Sequence, residues 1–316
     1  MIDFFDRLCF WGDARRFRIL NRLRIYALVR NISIYLANII LPLYFKVTAK
    51  QKKNKILFSE TDKAPEYIVS LTTFPLRISS VWLVIESMLH QSYKPDKVVL
   101  YLSKKQFSGF DVLPKNLLNL QKRGLQIEFV DKDMRSHKKY LYAMEKYPDA
   151  NVITVDDDVI YRSDFVQSMV CFSKKFPGSI IGNRCKVTSS SVNYCYNVMR
   201  DATPADSLIP RDDLLNIGAS GVLYPPGSLF QDWNNHELIE RLCFTADDIW
   251  LHCMAKMQGT KVVFSNYFQN QLLVKIKNNV SLRDVNLEAN QIQIEALIKY
   301  YKEHFGRNPF ESVNAK

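Results

Sequence analysis

The sequence predicts an α/β protein: a mostly parallel sheet flanked by helices, with a basic helical extension ahead of it and a helix behind. Three observations lead there. Short apolar runs recur at 67–73, 97–103, 125–130 and 151–155, spaced by roughly 25–30 residues. The stretches between them carry apolar residues at helical spacing, which is the pattern of βαβ units. The chain has 316 residues, 47% hydrophobic and 24% charged, enough for a substantial buried core.

Residues 1–60 form the first segment. The formal charge of +11 suggests a nucleic-acid partner until it is mapped: residues 1–55 hold twelve Lys and Arg against three Asp, a net of +9, leaving +2 for the other 261 residues. A phosphate-tracking groove is therefore not indicated, and no nucleic-acid partner is expected. The basic residues alternate with Phe, Ile, Leu and Tyr, as in a helix lying on an anionic leaflet. The uncharged run Asn31–Phe45 would make only about 22 Å of helix, short of the ~30 Å hydrocarbon core, so interfacial attachment is expected in preference to a span. A helical hairpin docked on the core is the alternative. Six scattered cysteines without a C-x-x-C pair, and no cleavable signal, fit a reduced cytoplasmic setting at the inner leaflet of the cell membrane.

Residues 61–270 form the α/β domain. Strands "YIVSLTT", "KVVLYLS", "LQIEFV" and "NVITV" alternate with helices in "ISSVWLVIESMLHQS", "PKNLLNLQKRG" and "SHKKYLYAMEKYP". A further helix in "SDFVQSMVCFSKKF" precedes a strand "SIIGNRCKV", a polar loop to residue 213, the segment "NIGASGVLYPPGSL", a helix opening at "FTADDIWLHCMAKM" and a strand near "KVVFS". Residues 271–316 form a C-terminal helical extension, helical from about Leu282 to His304. There is no G-x-G-x-x-G after the first strand and no G-x-x-x-x-G-K-[ST], so the dinucleotide and P-loop classes are excluded.

Ligands in such sheets collect beyond the carboxyl ends of the strands. There the sequence places "VDDDV", three acids that raise each other's pKa unless a cation compensates. If the strand continues one step, Asp156 and Asp158 point to one side and Asp157 to the other. Two carboxylates so placed suit Mn2+ or Mg2+, whose other ligands come from substrate phosphates. Aspartates also end strands and cap turns, so the triplet alone does not decide.

Four stretches, "IVSLTTFPLRI", "VITVDDDVIY", "GASGVLYPPG" and "TADDIWL", occur in an order that resembles GT-A fold glycosyltransferases, in particular those of bacterial surface-polysaccharide loci. The resemblance covers about residues 66–265 and implies a Rossmann-like mixed, mostly parallel sheet and a nucleotide-diphosphate sugar donor. It implies Asp158 and Asp156 as metal ligands, with Asp156 and Asp157 also near the donor. Thr72, Phe74 and Arg77 would hold the nucleoside, and Lys138 or Lys139 the diphosphate. Asp248 would be the general base of an inverting enzyme and Asp247 an acceptor-binding acid, with Gly218, Ser220 and Gly221 in an acceptor-side loop. Asp247 and Asp248 also read as the ordinary first turn of a helix capped by Thr245. His252, one turn after Asp248, reads as structural.

The expectation is a metal-dependent glycosyltransferase acting on a lipid-linked or polysaccharide acceptor. A nucleotidyl- or phosphotransferase using the same acids, and a non-catalytic glycan- or membrane-binding scaffold, are the alternatives.

Overall fold

The structure, a computed structural model, describes residues 1–9, 25–48, 65–188, 196, 199–267, 271–275 and 286–311. The expected boundary near residue 60 lies outside them.

The sheet grows from its centre. Strand β1 (Tyr67–Thr72) pairs in parallel with β2 (Lys97–Ser103) on one side and β4 (Asn151–Thr154) on the other, and β2 pairs in parallel with β3 (Leu125–Val130). Beyond β4 the direction reverses. β11 (Val222–Tyr224) runs antiparallel to both β4 and β6 (Ile180–Gly182), and β12 (Val262–Phe264) returns parallel to β6. With β9 (Pro210–Arg211) at the edge, the order is β3-β2-β1-β4-β11-β6-β12-β9. The expected mixed, mostly parallel α/β sheet is present. Small sheets join β7 (Cys185–Val187) to β8 (Arg200–Asp201) and β10 (Leu214–Asn216), and β13 (Leu272–Leu273) to β5 (Val159–Ile160).

Both faces of the central strands are buried, which is why they read as near-continuous apolar runs. Alternate residues choose the face. Val69, Leu71, Val98, Leu100 and Ile153 join the core under α3 (Val81–Leu89) and α6 (Phe165–Lys175). Ile68, Val99 and Val152 face the other way with Ala143 of α5 (Lys138–Lys146). On that side Val222, Val262 and Phe264 pack with Leu238 and Ile239 of α7 (His236–Leu242), with Trp250 and Met254 of α8 (Asp247–Gln258), and with Ile294, Leu297 and Tyr301 of α9 (Asn286–Phe305).

Three local expectations change. "PKNLLNLQKRG" forms one α-turn, α4 (Lys115–Leu118), and a 3-10 turn over 119–123, closed by Gly124 at φ +114°. "SIIGNRCKV" splits into β6 and β7. An added Cβ at Gly182 would stand 1.8 Å from the Asn216 side chain, so the chain bends here around a close approach that only glycine permits. The uncharged run Asn31–Phe45 lies inside a longer helix, α2 (Ile25–Thr48), whose 24 residues take in Arg30 and Lys46 and measure about 36 Å. It is long and apolar enough to cross a membrane by length and composition. Its Ile34, Ala37, Leu41 and Phe45, and Ile2, Phe5 and Cys9 of α1 (Ile2–Cys9), share the core of the sheet's α3 side.

Candidate active site

The sheet ends the β4 strand at Thr154, and Asp157 and Asp158 already lie in a turn before β5 begins. The three side chains therefore do not alternate as an extended strand would. Arg77, from the loop after β1, bridges two of them, its Nη1 lying 2.6 Å from Asp157 Oδ1 and 3.0 Å from Asp158 Oδ2. Thr73 Oγ1 donates to Asp157 Oδ2 at 2.5 Å, so the buried middle acid is fully engaged. Asp156 turns instead to Lys139 Nζ at 2.9 Å.

Lys139 joins the triplet to a second acid pair. Its Nζ lies 2.8 Å from Asp247 Oδ2, at the start of α8. Next to it, both oxygens of Asp248 accept from the Gly218 N–H, at 3.1 and 3.2 Å. A Cβ on Gly218 would come within 2.8 Å of Asp248 Oδ1 and 3.0 Å of Lys139 Nζ, so the absence of a side chain there is what lets the loop touch both groups. Tyr161 closes the ring. The Asp156 N–H donates to its Oη at 3.0 Å, and that hydroxyl donates to the Ala219 carbonyl at 3.1 Å.

The electrostatics separate these acids. Burial pushes Asp247 up, but the Lys139 and His137 charges and hydrogen bonds from Lys139 and Ser136 overcome it and hold the group below its ordinary value. Burial and the Asp247 charge push Asp248 the other way, to about 7, although part of its surface stays open. Adjacent acids with pKa values driven apart can take different roles, one permanently charged and one exchanging a proton near neutrality. Lys139 is held well above the ordinary lysine value: burial opposes its charge, and Asp156, Asp247 and Asp248 more than compensate. Burial and the Asp156 charge raise Asp158 to about 6.

Five carboxylates thus meet two protein cations, Arg77 and Lys139, and the surplus is negative. Asp156 and Asp158 keep part of their surface open. Among the described residues no three His, Cys, Asp or Glu converge as a closed metal cage. Two partly accessible carboxylates, each sharing its cation with another acid in a cluster of net negative charge, fit a hard cation that completes its shell with substrate oxygens.

The expected site residues divide. Arg77, Lys139, Asp156, Asp157, Asp158, Asp247, Asp248 and Gly218 form one connected cluster. Phe74 lies at its margin, with the Arg77 guanidinium 5.3 Å from its ring centroid. Thr72 Oγ1 is turned to the Tyr101 carbonyl at 2.8 Å. Lys138 is buried and paired with Asp133, away from the acids. Ser220 is buried and its Oγ accepts from Gln271 Nε2 at 3.2 Å, while Gly221, at φ +83°, packs on the Phe165 ring. Thr245 does not cap α8. Ala246 precedes the helix, and Thr245 Oγ1 accepts from Gln293 of α9 at 2.8 Å. His252 is buried and stacked on Phe310, with burial lowering its pKa to about 3. Thr73, Tyr161 and His137 were missed. Tyr161 had a signal, as the one hydroxyl aromatic closing "DDDVIY"; His137, held by Tyr140 Oη and the Cys243 carbonyl at 2.9 Å each, had none.

No family model matches this chain, and no curated protein does. Among solved structures it is similar to the mannosyltransferase PcManGT from Pyrobaculum calidifontis in complex with GDP-Man and Mn2+, at 13% identity over 89% of this chain and 77% of that one, with a TM-score of 0.43. It is also similar to S. aureus TarS 1–349 in complex with UDP, at 12% identity over 77% of this chain and 72% of that one, TM-score 0.44. The same protein with UDP-GlcNAc aligns at 12% identity over 79% and 74%, TM-score 0.41.

Proposed function

We propose that this chain is a metal-dependent glycosyltransferase of GT-A type. In this reading it moves a sugar from a nucleotide-diphosphate sugar to a lipid-linked or polysaccharide acceptor of surface-glycan synthesis, with inversion, at the inner leaflet of the cell membrane. The observation that carries the proposal is the geometry at the start of α8: Lys139 Nζ pairs with both Asp156 and Asp247, and Asp248, held by the Gly218 N–H and raised in pKa by burial, faces the acidic triplet across that lysine.

Asp248, oriented by the Gly218 N–H, takes the proton of the acceptor hydroxyl. The acceptor oxygen forms a bond to the anomeric carbon as the bond from that carbon to the diphosphate oxygen breaks, and the electron pair leaves with the nucleoside diphosphate. One displacement inverts the anomeric centre. Arg77 and Lys139 lend positive charge to the region where the diphosphate departs and keep the acids in place when no donor is bound. Asp156 and Asp158 are the ligands available to Mn2+ or Mg2+, which when bound would neutralise charge on the leaving diphosphate. Gly218, Ser220 and Gly221 shape the acceptor side, and Thr72 and Phe74 the nucleoside side.

The test is calorimetry of the protein against nucleoside diphosphates and nucleotide sugars, with Mn2+ and with EDTA, for wild type and Asp158→Ala. Metal-dependent binding of one nucleotide family, lost in the variant, supports the reading. Turnover that releases a nucleoside monophosphate and pyrophosphate would replace it with nucleotidyl transfer, and no binding to a folded protein would leave a scaffold.

A further inference from the structure

Helix α2 is two-faced in an unusual way, because both faces are apolar. Ile34, Ala37, Leu41 and Phe45 are buried in the core, while Leu28, Ile32, Tyr35, Ile39, Leu43 and Val47 form a stripe on the nearly opposite side, with Leu28 61% and Leu43 59% exposed. A continuous exposed stripe of this length marks an interaction surface. The charge of the sequence flanking the helix points to its partner. Five arginines between Arg15 and Arg24 precede the helix in sequence, four lysines between Lys50 and Lys55 follow it, and no acid occurs between Asp13 and Glu60. Within the described residues, Lys46 lies exposed near one end and Lys275 Nζ stands 4.7 Å from the Tyr35 ring centroid. A second copy of the chain would bring the same positive charge to the contact, whereas an anionic bilayer offers both the hydrocarbon and the opposite charge.

We infer that the Leu28–Val47 stripe of α2 seats the enzyme in the plane of an anionic leaflet, lying along the surface without crossing it. A helix that crossed the bilayer would have to give up the core contacts of Ile34, Ala37, Leu41 and Phe45. Its rotation is fixed by Asn38, whose Nδ2 donates to the Leu273 carbonyl at 3.0 Å and whose Oδ1 accepts from the Lys275 N–H at 2.8 Å. Between those two residues the Val274 N–H donates to the Asp158 carbonyl at 2.8 Å. The surface that meets the lipid is thus joined to the acidic turn through one short strand, which suits an acceptor delivered from the membrane. The inference deepens the membrane setting proposed above, yet its physical content is lipid binding and stands apart from donor chemistry.

The experiment is sedimentation of the full chain with phosphatidylcholine vesicles, with and without phosphatidylglycerol, for wild type and the double variant Leu28→Asp/Leu43→Asp. Both positions are solvent-facing, so the variant should fold, and its thermal midpoint checks this. The expected result is binding to the phosphatidylglycerol vesicles, at least about tenfold weaker in the variant and weakened by salt. Nucleotide binding in solution should stay within about twofold of wild type, because Leu28 and Leu43 are exposed and the link from α2 to the acidic turn runs through Asn38, which the variant keeps. Alkaline carbonate should release the protein from membranes. Vesicle binding that the variant retains, absence of binding, resistance to carbonate, or a solution dimer that the variant abolishes would each overturn the inference. Loss of nucleotide binding in wild type would count against the transferase reading alone.

Discussion

Gly218→Ala asks whether Asp248 is held for chemistry. Gly218 is absent from the positive-φ glycines, so its backbone accepts alanine and the perturbation is the methyl alone. The new Cβ would lie 2.8 Å from Asp248 Oδ1, where ordinary contact starts near 3.4 Å, so the carboxylate must retreat by about 0.6 Å. Lys139 Nζ, at 3.0 Å from that Cβ, cannot absorb the clash freely, because Asp156 and Asp247 hold it at 2.9 and 2.8 Å. Retreat on that scale lengthens the hydrogen bonds from the Gly218 N–H, now 3.1 and 3.2 Å, past useful range. Misplacing a catalytic group by ~1 Å can cost ~100-fold, so this shift should lower kcat by roughly 10- to 100-fold. Stability should fall by only about 1 kcal/mol, the net worth of a hydrogen bond. Donor affinity, set at Asp158 and Arg77, should hold. The assay is release of nucleoside diphosphate at saturating donor and acceptor, alongside donor calorimetry and thermal melting. Gly221→Ala is the control: its Cβ would meet the Phe165 ring at 2.4 Å and its φ is +83°, so it should lose stability first. A Gly218→Ala enzyme with kcat within about threefold of wild type and an unchanged melt would refute the assignment of Asp248 as a positioned base.

The remaining predictions use the same cluster. Because the base must be ionised, kcat should fall about tenfold per pH unit below about 7. Asp247→Asn, which removes a charge that raises Asp248, should move that limb to lower pH in the pH–rate profile. Stability moves oppositely: the native state keeps Asp248 protonated where the unfolded chain ionises it, so the contribution is full below about pH 4 and lost as pH rises to about 7. Melting wild type and Asp248→Asn across that range should show the gap. Lys139→Met strands Asp156 and Asp247 and should cost about 3–5 kcal/mol, read as a midpoint lowered by roughly 6–15 °C. Asp158→Ala should abolish metal-dependent nucleotide binding with the melt preserved. Asp157→Ala should cost about 2–4 kcal/mol, since it leaves the Thr73 hydroxyl without its acceptor and Arg77 with Asp158 alone beside a buried site.

The outline of the fold was legible because burial on both sheet faces writes itself as uninterrupted apolar runs: β2 and β3 fall on the residues those runs mark. The acids were legible for a related reason. Several carboxylates at one strand end, and two more opening a helix, are expensive without a purpose. What stayed hidden was pairing across the sheet. Lys138 and Lys139 are adjacent and chemically alike, and sequence offers no reason to choose. The 3-10 turn at Arg135–His137 sets the phase of α5, turning Lys139 to the acids and Lys138 to Asp133. Arg77 was expected to meet a nucleoside, yet it clasps Asp157 and Asp158 because the chain turns at residue 157 instead of extending.

The crowding of three adjacent acids after β4 therefore has a two-part physical explanation. Arg77 and Lys139 neutralise enough charge for the chain to fold, as the well-held Asp157 shows. They do not neutralise all of it: burial first, and then the charge of the neighbouring acids, lifts Asp158 to about 6 and Asp248 to about 7. A structural ion-pair network alone would gain by losing one acid. Retaining five carboxylates around two cations stores a negative potential that a further cation, arriving with a diphosphate, would relieve. On that argument Asp158→Asn should raise thermal stability without ligand, by about 1–2 kcal/mol, while lowering metal-dependent donor affinity. Loss of both stability and binding in that variant would mean the acids are structural.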